Sequence, residues 1–259
     1  MKITVLSENT AACPEIEAEH GLSLYIEAAD RRILFDMGQS DLLLRNAARL
    51  GVDLSQVDLA VLSHGHYDHG GGISAFRTVN RHAPLYVSRH AFGRFYSTKY
   101  IGLAADTQND LRLIETEGVL PLGKGITLFA DGAVPLFAEQ NAGLTQEIDG
   151  VRHPDRFLHE QYLLIEENGK RVLFSGCSHR GAVNVVCHFA PDVLVGGFHF
   201  KNMDPVLHAP FLRTAADRLL QADTVYYTCH CTGMEQYAFL KEIMKDRLHY
   251  LSCGQTAEL

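Results

Sequence analysis

Four side chains able to bind a metal fall within six residues of this chain, in the run Leu62-Ser63-His64-Gly65-His66-Tyr67-Asp68-His69-Gly70-Gly71-Gly72. The run follows an apolar, strand-like stretch, Leu59-Ala60-Val61-Leu62. A helix turns about 100° per residue, so it would set His64 and His66 about 200° apart. The helical zinc spacing, two histidines four apart, is also absent. The run therefore reads as a loop at a strand's end, folded around metal. Imidazole nitrogen and carboxylate oxygen together suit zinc, manganese or iron better than calcium or magnesium. Ligands this crowded, with other histidines elsewhere, point to two adjacent ions. The same residues can also make an ordinary polar surface loop, but the glycines favour the metal reading. Gly65 lets the backbone bend between ligands, and Gly70 to Gly72 allow positive φ and close approach of the chain to metal.

With 259 residues and 46% hydrophobic content, the chain can bury a large core. Its net charge of −8 argues against nonspecific nucleic-acid binding. No stretch approaches about 20 consecutive apolar residues, so no membrane partner is expected. The start, Met1 to Glu8, reads as a strand without a signal-peptide core, which suggests a cytoplasmic protein. The six cysteines, at 13, 177, 187, 229, 231 and 253, form no regular framework and are expected to be reduced thiols.

The His-x-His-x-Asp-His run resembles the metallo-β-lactamase superfamily. Ile33-Leu34-Phe35-Asp36-Met37-Gly38, Val172 to His179 and Cys229-His230-Cys231-Thr232-Gly233 are similar to other motifs of that family. Glu19-His20-Gly21-Leu22-Ser23 and Gly196-Gly197-Phe198-His199 resemble one branch in particular. That branch is named after 7,8-dihydropterin-6-methyl-4-(β-D-ribofuranosyl)aminobenzene-5'-phosphate synthase.

Apolar runs suggest strands at Lys2–Leu6, Ser23–Ala28, Arg32–Asp36, Leu59–Leu62, Pro84–Ser88, Ile126–Phe129, Gln161–Glu166, Arg171–Ser175, Val193–Gly196, Thr224–Thr228 and Leu248–Leu251. Helices are expected at Ser40–Leu50, Gly71–Arg77, Arg180–Phe189, Pro205–Gln221 and Gly233–Lys245, the first capped by Ser40. Strands followed by helix, repeated in two halves, fit an α/β fold, a four-layer αββα sandwich. Residues 1–259 read as a single domain, with ligand loops gathered at one edge between the sheets. Two polar stretches, His90 to Glu117 and Asn141 to Phe157, are candidates to cover the site. The first, which mixes aromatics with bases, reads equally as a packed helix.

The resemblance implies that His64, His66 and a later histidine hold one metal. It implies that Asp68, His69 and His230 hold the other. His179, in a tight turn after a strand, is the choice for the third ligand of the first site; His159 and His153 are alternatives. Many family members carry a bridging aspartate where this chain has Cys177. That thiol either ligates, since metal and histidines lower its pKa, or fills space beside His179. Asp36 is expected to orient a ligand histidine through its other ring nitrogen. His199 follows a strand, with Gly196 and Gly197 leaving room for a ligand; it can bind substrate, act as an acid or complete a metal shell. Ser63 and Ser178 are expected to bond backbone. Arg94, Tyr96 and Lys99 are candidate substrate contacts, and Glu19 and His20 are near the site by resemblance alone.

The leading functional expectation is a hydrolase holding two divalent ions, zinc ahead of manganese or iron. Shared between them, a water falls in pKa from about 16 to about 7. The metal-bound hydroxide then attacks a small ester, lactone or phosphoester, with Asp68 orienting it. The partner is thus a small-molecule substrate, in one version phosphorylated. A second reading, implied by the branch, is a transferase joining a pterin pyrophosphate to an aminobenzene ribotide. A third is a non-enzymatic metal or redox sensor using Cys177, Cys229 and Cys231. Oligomeric state is open.

Overall fold

The computed structural model describes residues 1–109, 112–130, 134 and 139–259. In chain order its strands are β1 (Lys2–Ser7), β2 (Ser23–Ala28), β3 (Arg31–Phe35), β4 (Leu59–Val61), β5 (Leu85–Ser88), β6 (Arg94–Tyr96), β7 (Leu113–Thr116), β8 (Val119–Gly123), β9 (Ile126–Phe129), β10 (Thr145–Ile148), β11 (Val151–Pro154), β12 (Tyr162–Glu167), β13 (Lys170–Phe174), β14 (Val193–Val195), β15 (Val225–Thr228), β16 (Leu248–Tyr250) and β17 (Thr256–Glu258). Its α-helices are α1 (Leu42–Leu50), α2 (Tyr67–Gly70), α3 (Ile73–Val79), α4 (Ala182–Phe189), α5 (Ala209–Leu220) and α6 (Met234–Met244).

Two seven-stranded sheets form, ordered β17-β1-β2-β3-β4-β5-β7 and β16-β15-β14-β13-β12-β9-β8. Residue alternation along each strand decides how they stack. Ile33 and Phe35 of β3 and Val172 and Phe174 of β13 point into one core between the sheets. The Phe35 and Phe174 rings meet there at 5.7 Å. The intervening Leu34 faces a second core under α1 and α3. Leu173 and Leu194 face a third under α4, α5 and α6. Helix, sheet, sheet, helix is the expected αββα sandwich.

Several local expectations need correction. The metal-rich run is not all loop: it ends in the single turn α2, which carries Asp68 and His69. Helix α5 begins at Ala209 rather than Pro205, because Asp204 Oδ1 accepts the N–H groups of Val206 and Leu207 and makes a turn first. Ser40 does accept the Leu42 N–H at 3.1 Å, although Asp41 is the residue that precedes the helix. Among its described residues the stretch after His90 forms no α-helix. It supplies β6, which joins the hairpin β10–β11 in a three-stranded sheet ordered β11-β10-β6. Residues 110 and 111 of that stretch lie outside the described residues. Among the described residues, no helix is long and apolar enough to cross a membrane.

The glycines of the run serve packing. None of Gly65, Gly70, Gly71 and Gly72 has a positive φ. A Cβ at Gly65 would lie 2.0 Å from the Ala91 carbonyl oxygen, so the ligand loop presses directly on the neighbouring backbone.

Candidate metal centre

β3 and β4 run parallel, with Phe35 beside Val61. In the other sheet β13, β14 and β15 are parallel, with Phe174 beside Val195 and Val195 beside Tyr227. Parallel neighbours end on the same side, so their following loops collect at one crevice. Those loops carry Asp36, the His64–His69 run, Cys177 to His179, His199 and His230. Four of these residues turn through the left-handed region: Asp36 (φ 60°), Ser178 (51°), His199 (55°) and His230 (47°). Such non-glycine conformations cost about 1–3 kcal/mol each and gather at functional sites.

Hydrogen bonds on one ring nitrogen leave the other aimed inward. Asp36 Oδ2 accepts from Nδ1 of His69 at 2.7 Å and from Ser63 Oγ at 2.7 Å. Its Oδ1 accepts the Ser63 N–H at 2.7 Å. With its proton on Asp36, Ser63 Oγ accepts from Nδ1 of His64 at 2.8 Å. Asn141 Oδ1 accepts from Nδ1 of His179 at 3.0 Å, and Asn9 Oδ1 from Nδ1 of His230 at 2.8 Å. The Nε2 atoms of His64, His66, His179 and His230 are buried and make no hydrogen bond. A buried polar atom without a partner costs about 1–3 kcal/mol. Four lone pairs converging in this state fit bound divalent cations.

The candidate ligand atoms fall into groups, each spanning no more than 4.8 Å. His64, His66 and His179 make one; His64, His69 and Cys177 make another; His20, Asp68 and His230 make a third; His66, Asp155 and His159 make a fourth. Sequence reasoning grouped Asp68 and His230 with His69. Here His69 Nε2 lies 3.2 Å from Cys177 Sγ, while Asp68 Oδ2 lies 3.1 Å from Nε2 of His20 and 3.4 Å from Nε2 of His230.

Burial dominates the electrostatics. It holds His64 and His179 well below the ordinary histidine value, and His66 and His230 at about 3. For His69 burial pulls the same way, but the Asp36 carboxylate outweighs it and the net shift is upward. Burial raises Asp68, yet the close imidazoles of His20 and then His230 outweigh it and carry Asp68 well below the carboxylate range. Burial, then Cys231, pushes the Cys177 thiol up. His199 is lowered to about 4 by burial and by Lys201.

Other candidates are placed elsewhere or bound differently. His159 is buried with both ring nitrogens engaged: Nδ1 accepts the Gly65 N–H at 3.0 Å and Nε2–H donates to Asp155 at 3.1 Å. It steadies the loop of the His64–His69 run, with the Phe95 ring 3.9 Å away and tilted 31° against it. His153 is exposed on β11. Strand alternation on β6 turns Phe95 towards the site and Arg94 and Tyr96 away. Arg94 donates to the Tyr96 hydroxyl and pairs with Glu147 at 3.0 Å, so neither lines the metal crevice. Ser63 and Ser178 bond side chains, the latter Ser175 Oγ at 2.7 Å. The space beside Gly197 belongs to Cys231 Sγ, 2.2 Å from where a Cβ would stand, not to a ligand. All six cysteines are free thiols.

The crevice opens into a cavity of about 390 Å³. Asp68, His179, His199 and His230 line it, together with Lys99, in the turn that follows β6, and Lys201. Ala142 and Gly143 close the rim, so both polar stretches contribute to the wall. Sequence reasoning missed Lys201, Asn9, Asn141 and two buried carboxylates. Glu160 accepts the His179 N–H at 2.6 Å, and Glu8 accepts the His230 N–H at 2.6 Å. No spacing rule reveals such partners, because they lie far from the histidines in sequence.

The family model of the metallo-β-lactamase superfamily matches residues 17–230. An uncharacterised protein of Methanocaldococcus jannaschii is 30% identical over 93% of this chain and 94% of its own length. The 7,8-dihydropterin-6-methyl-4-(β-D-ribofuranosyl)-aminobenzene-5'-phosphate synthase of that organism is 27% identical over 96% of this chain and 94% of its own. Among solved structures, a metal-dependent hydrolase of the β-lactamase superfamily aligns over 100% of this chain and 99% of its own, with a TM-score of 0.84 and 25% identity. Zinc-bound PqqB from Methylobacterium extorquens shares the fold, with a TM-score of 0.58 and 14% identity over 100% of both chains. Crevice, sandwich and sequence agree: this chain belongs to the metallo-β-lactamase superfamily.

Proposed function

We propose that the chain is a hydrolase of small esters, lactones or phosphoesters that works with two divalent cations, zinc foremost. The observation that carries this is the set of four buried, unpartnered Nε2 atoms at one crevice. His64, His66 and His179 would hold one cation, and Asp68, His69 and His230 the other, with Cys177 at the position between His64 and His69. Bound there, the cations polarise the bond to be cleaved and acidify water. The residues supply the rest. Asp36, Asn141 and Asn9 fix the ring orientations, so the donor atoms are set before substrate arrives. Asp68 is ionised and faces the cavity, where it accepts a hydrogen bond from the nucleophile. His199 donates its Nδ1–H to the Gln140 carbonyl at 3.3 Å, and it is neutral at pH 7. Its Nε2 then carries a lone pair, which can accept a proton or a hydrogen bond from substrate. Lys99 and Lys201 place positive charge in the cavity of a chain with net charge −8, which favours an anionic substrate.

The test pairs metal content with turnover. Zinc-loaded protein should hold about two ions per chain and cleave at least one of a panel of aryl esters, lactones and phosphodiesters. His66→Ala should lose an ion and turnover together. Full turnover in that variant overturns the proposal.

The two cavity lysines and the synthase-named relative favour one second reading, a transferase acting on a pterin pyrophosphate. Product that forms only with both substrates present, with pyrophosphate released, would establish it over hydrolysis.

A further inference from the structure

The segment Glu19-His20-Gly21 lies in the loop between β1 and β2, and its neighbours hold it against the metal crevice. Glu19 Oε1 accepts from Ser7 Oγ at 3.2 Å and from the Gln39 N–H at 3.3 Å, and Oε2 accepts from Ser40 Oγ at 2.6 Å. Gly21 has a φ of +155°, and a Cβ on it would stand 2.5 Å from the Asp68 carbonyl oxygen. The next residue, Leu22, donates its N–H to that same carbonyl at 3.1 Å. Asn9 Oδ1 accepts from the Gly21 N–H at 3.4 Å while accepting from Nδ1 of His230. The loop is thereby clamped to both Asp68 and His230.

His20 is what this clamp presents. Its Nε2 is 3.1 Å from Asp68 Oδ2, and its ring is 4.8 Å from that of His230. Lys201 Nζ lies 3.2 Å from the same Nε2. The two contacts make opposite demands on one nitrogen. To bond Asp68 it must carry a proton; to accept from the lysine, which only donates, it must not. A divalent cation removes the conflict, since it takes a lone pair from the imidazole and one from the carboxylate at once.

We infer that His20 is a ligand of the second cation, together with Asp68 and His230. This rests on the two-cation reading above and adds to it a ligand from outside the strand-end loops. The His20 side chain is 36% exposed, so it bounds the ion on the solvent side of the crevice.

The test is a calorimetric zinc titration of the full chain, with elemental analysis, on wild type, His20→Ala and His20→Gln. The expected result is two zinc ions in wild type. In both variants one site keeps its affinity and the other weakens by about tenfold or more, at least the loss that follows removal of an outer-shell partner. Cobalt(II) gives a second readout: the visible bands of the second equivalent should change in His20→Gln, which keeps the side chain's bulk should the alanine variant misfold. Two zinc ions of wild-type affinity in the variants, or an unchanged cobalt spectrum, overturn the assignment and leave the two-cation reading standing. A wild-type chain that takes up no zinc overturns that reading, and this one with it.

Discussion

Asp36 Oδ2 lies 2.7 Å from Nδ1 of His69, and neither side chain has any exposure to solvent. The same carboxylate holds the backbone and hydroxyl of Ser63, and through that hydroxyl it reaches His64. One anion from the end of β3 thus orients two histidines from the end of β4.

Replacing it tests that arrangement. Asp36→Ala strands a buried N–H, a hydroxyl and an imidazole, each at about 1–3 kcal/mol. Asp36→Asn keeps the shape and loses the charge. Zinc affinity in Asp36→Asn should fall by about 10–100-fold, and its denaturant midpoint should drop less than that of Asp36→Ala. Equal zinc affinity in wild type and both variants would rule the orienting role out.

The thiol between His64 and His69 gives a spectroscopic prediction. Cobalt(II)-loaded wild type should show a thiolate-to-cobalt charge-transfer band in the near ultraviolet, and Cys177→Ser should lack it. Persistence of the band in Cys177→Ser would move the sulfur ligand to another residue. Absence of the band in wild type would make Cys177 a packing residue only.

The buried histidines set how stability of the metal-free chain depends on pH. Burial holds His66 and His230 at about 3 and His199 at about 4, against an ordinary value of 6.5. Between those values the unfolded chain binds protons that the folded chain refuses. Stability is therefore full above pH 6.5 and declines as pH falls, by about 1.4 kcal/mol per unit for each such histidine. Urea midpoints should decline from pH 7 to pH 4, with a shallower slope in His66→Gln. A midpoint that rises over that range would contradict the burial argument.

Gly65→Ala probes the support beneath the ligand loop. Its methyl would meet the Ala91 backbone, not a flexible side chain, so the loop must move. Such overpacking costs about 1–3 kcal/mol, and zinc affinity should fall with it. Wild-type melting temperature and zinc uptake would show that the loop has slack there.

How far the sequence could be read follows from what periodicity encodes. β3, β13 and β14 are short apolar runs whose alternate residues feed different cores, so their pattern announces both strand and layer. The small sheet was not legible: Arg94–Tyr96 is short and mixed, and it becomes a strand only because Thr145–Ile148 arrives beside it. The site divides the same way. His64, His66, Asp68 and His69 declare themselves by crowding. His20 does not, because its partners Asp68 and His230 come to it through the fold. Arg94 misled because charge near a site says nothing about which strand face carries it.

The candidate ligand histidines come from both sheets: His64, His66 and His69 follow β4, while His179 and His230 follow strands of the other. A cation held among them would then be a fastener across the seam between two layers whose shared core is apolar, aliphatic and aromatic together. Stripping it would not unravel either sheet; it would let the two leaves of the sandwich part first along the edge where chemistry happens.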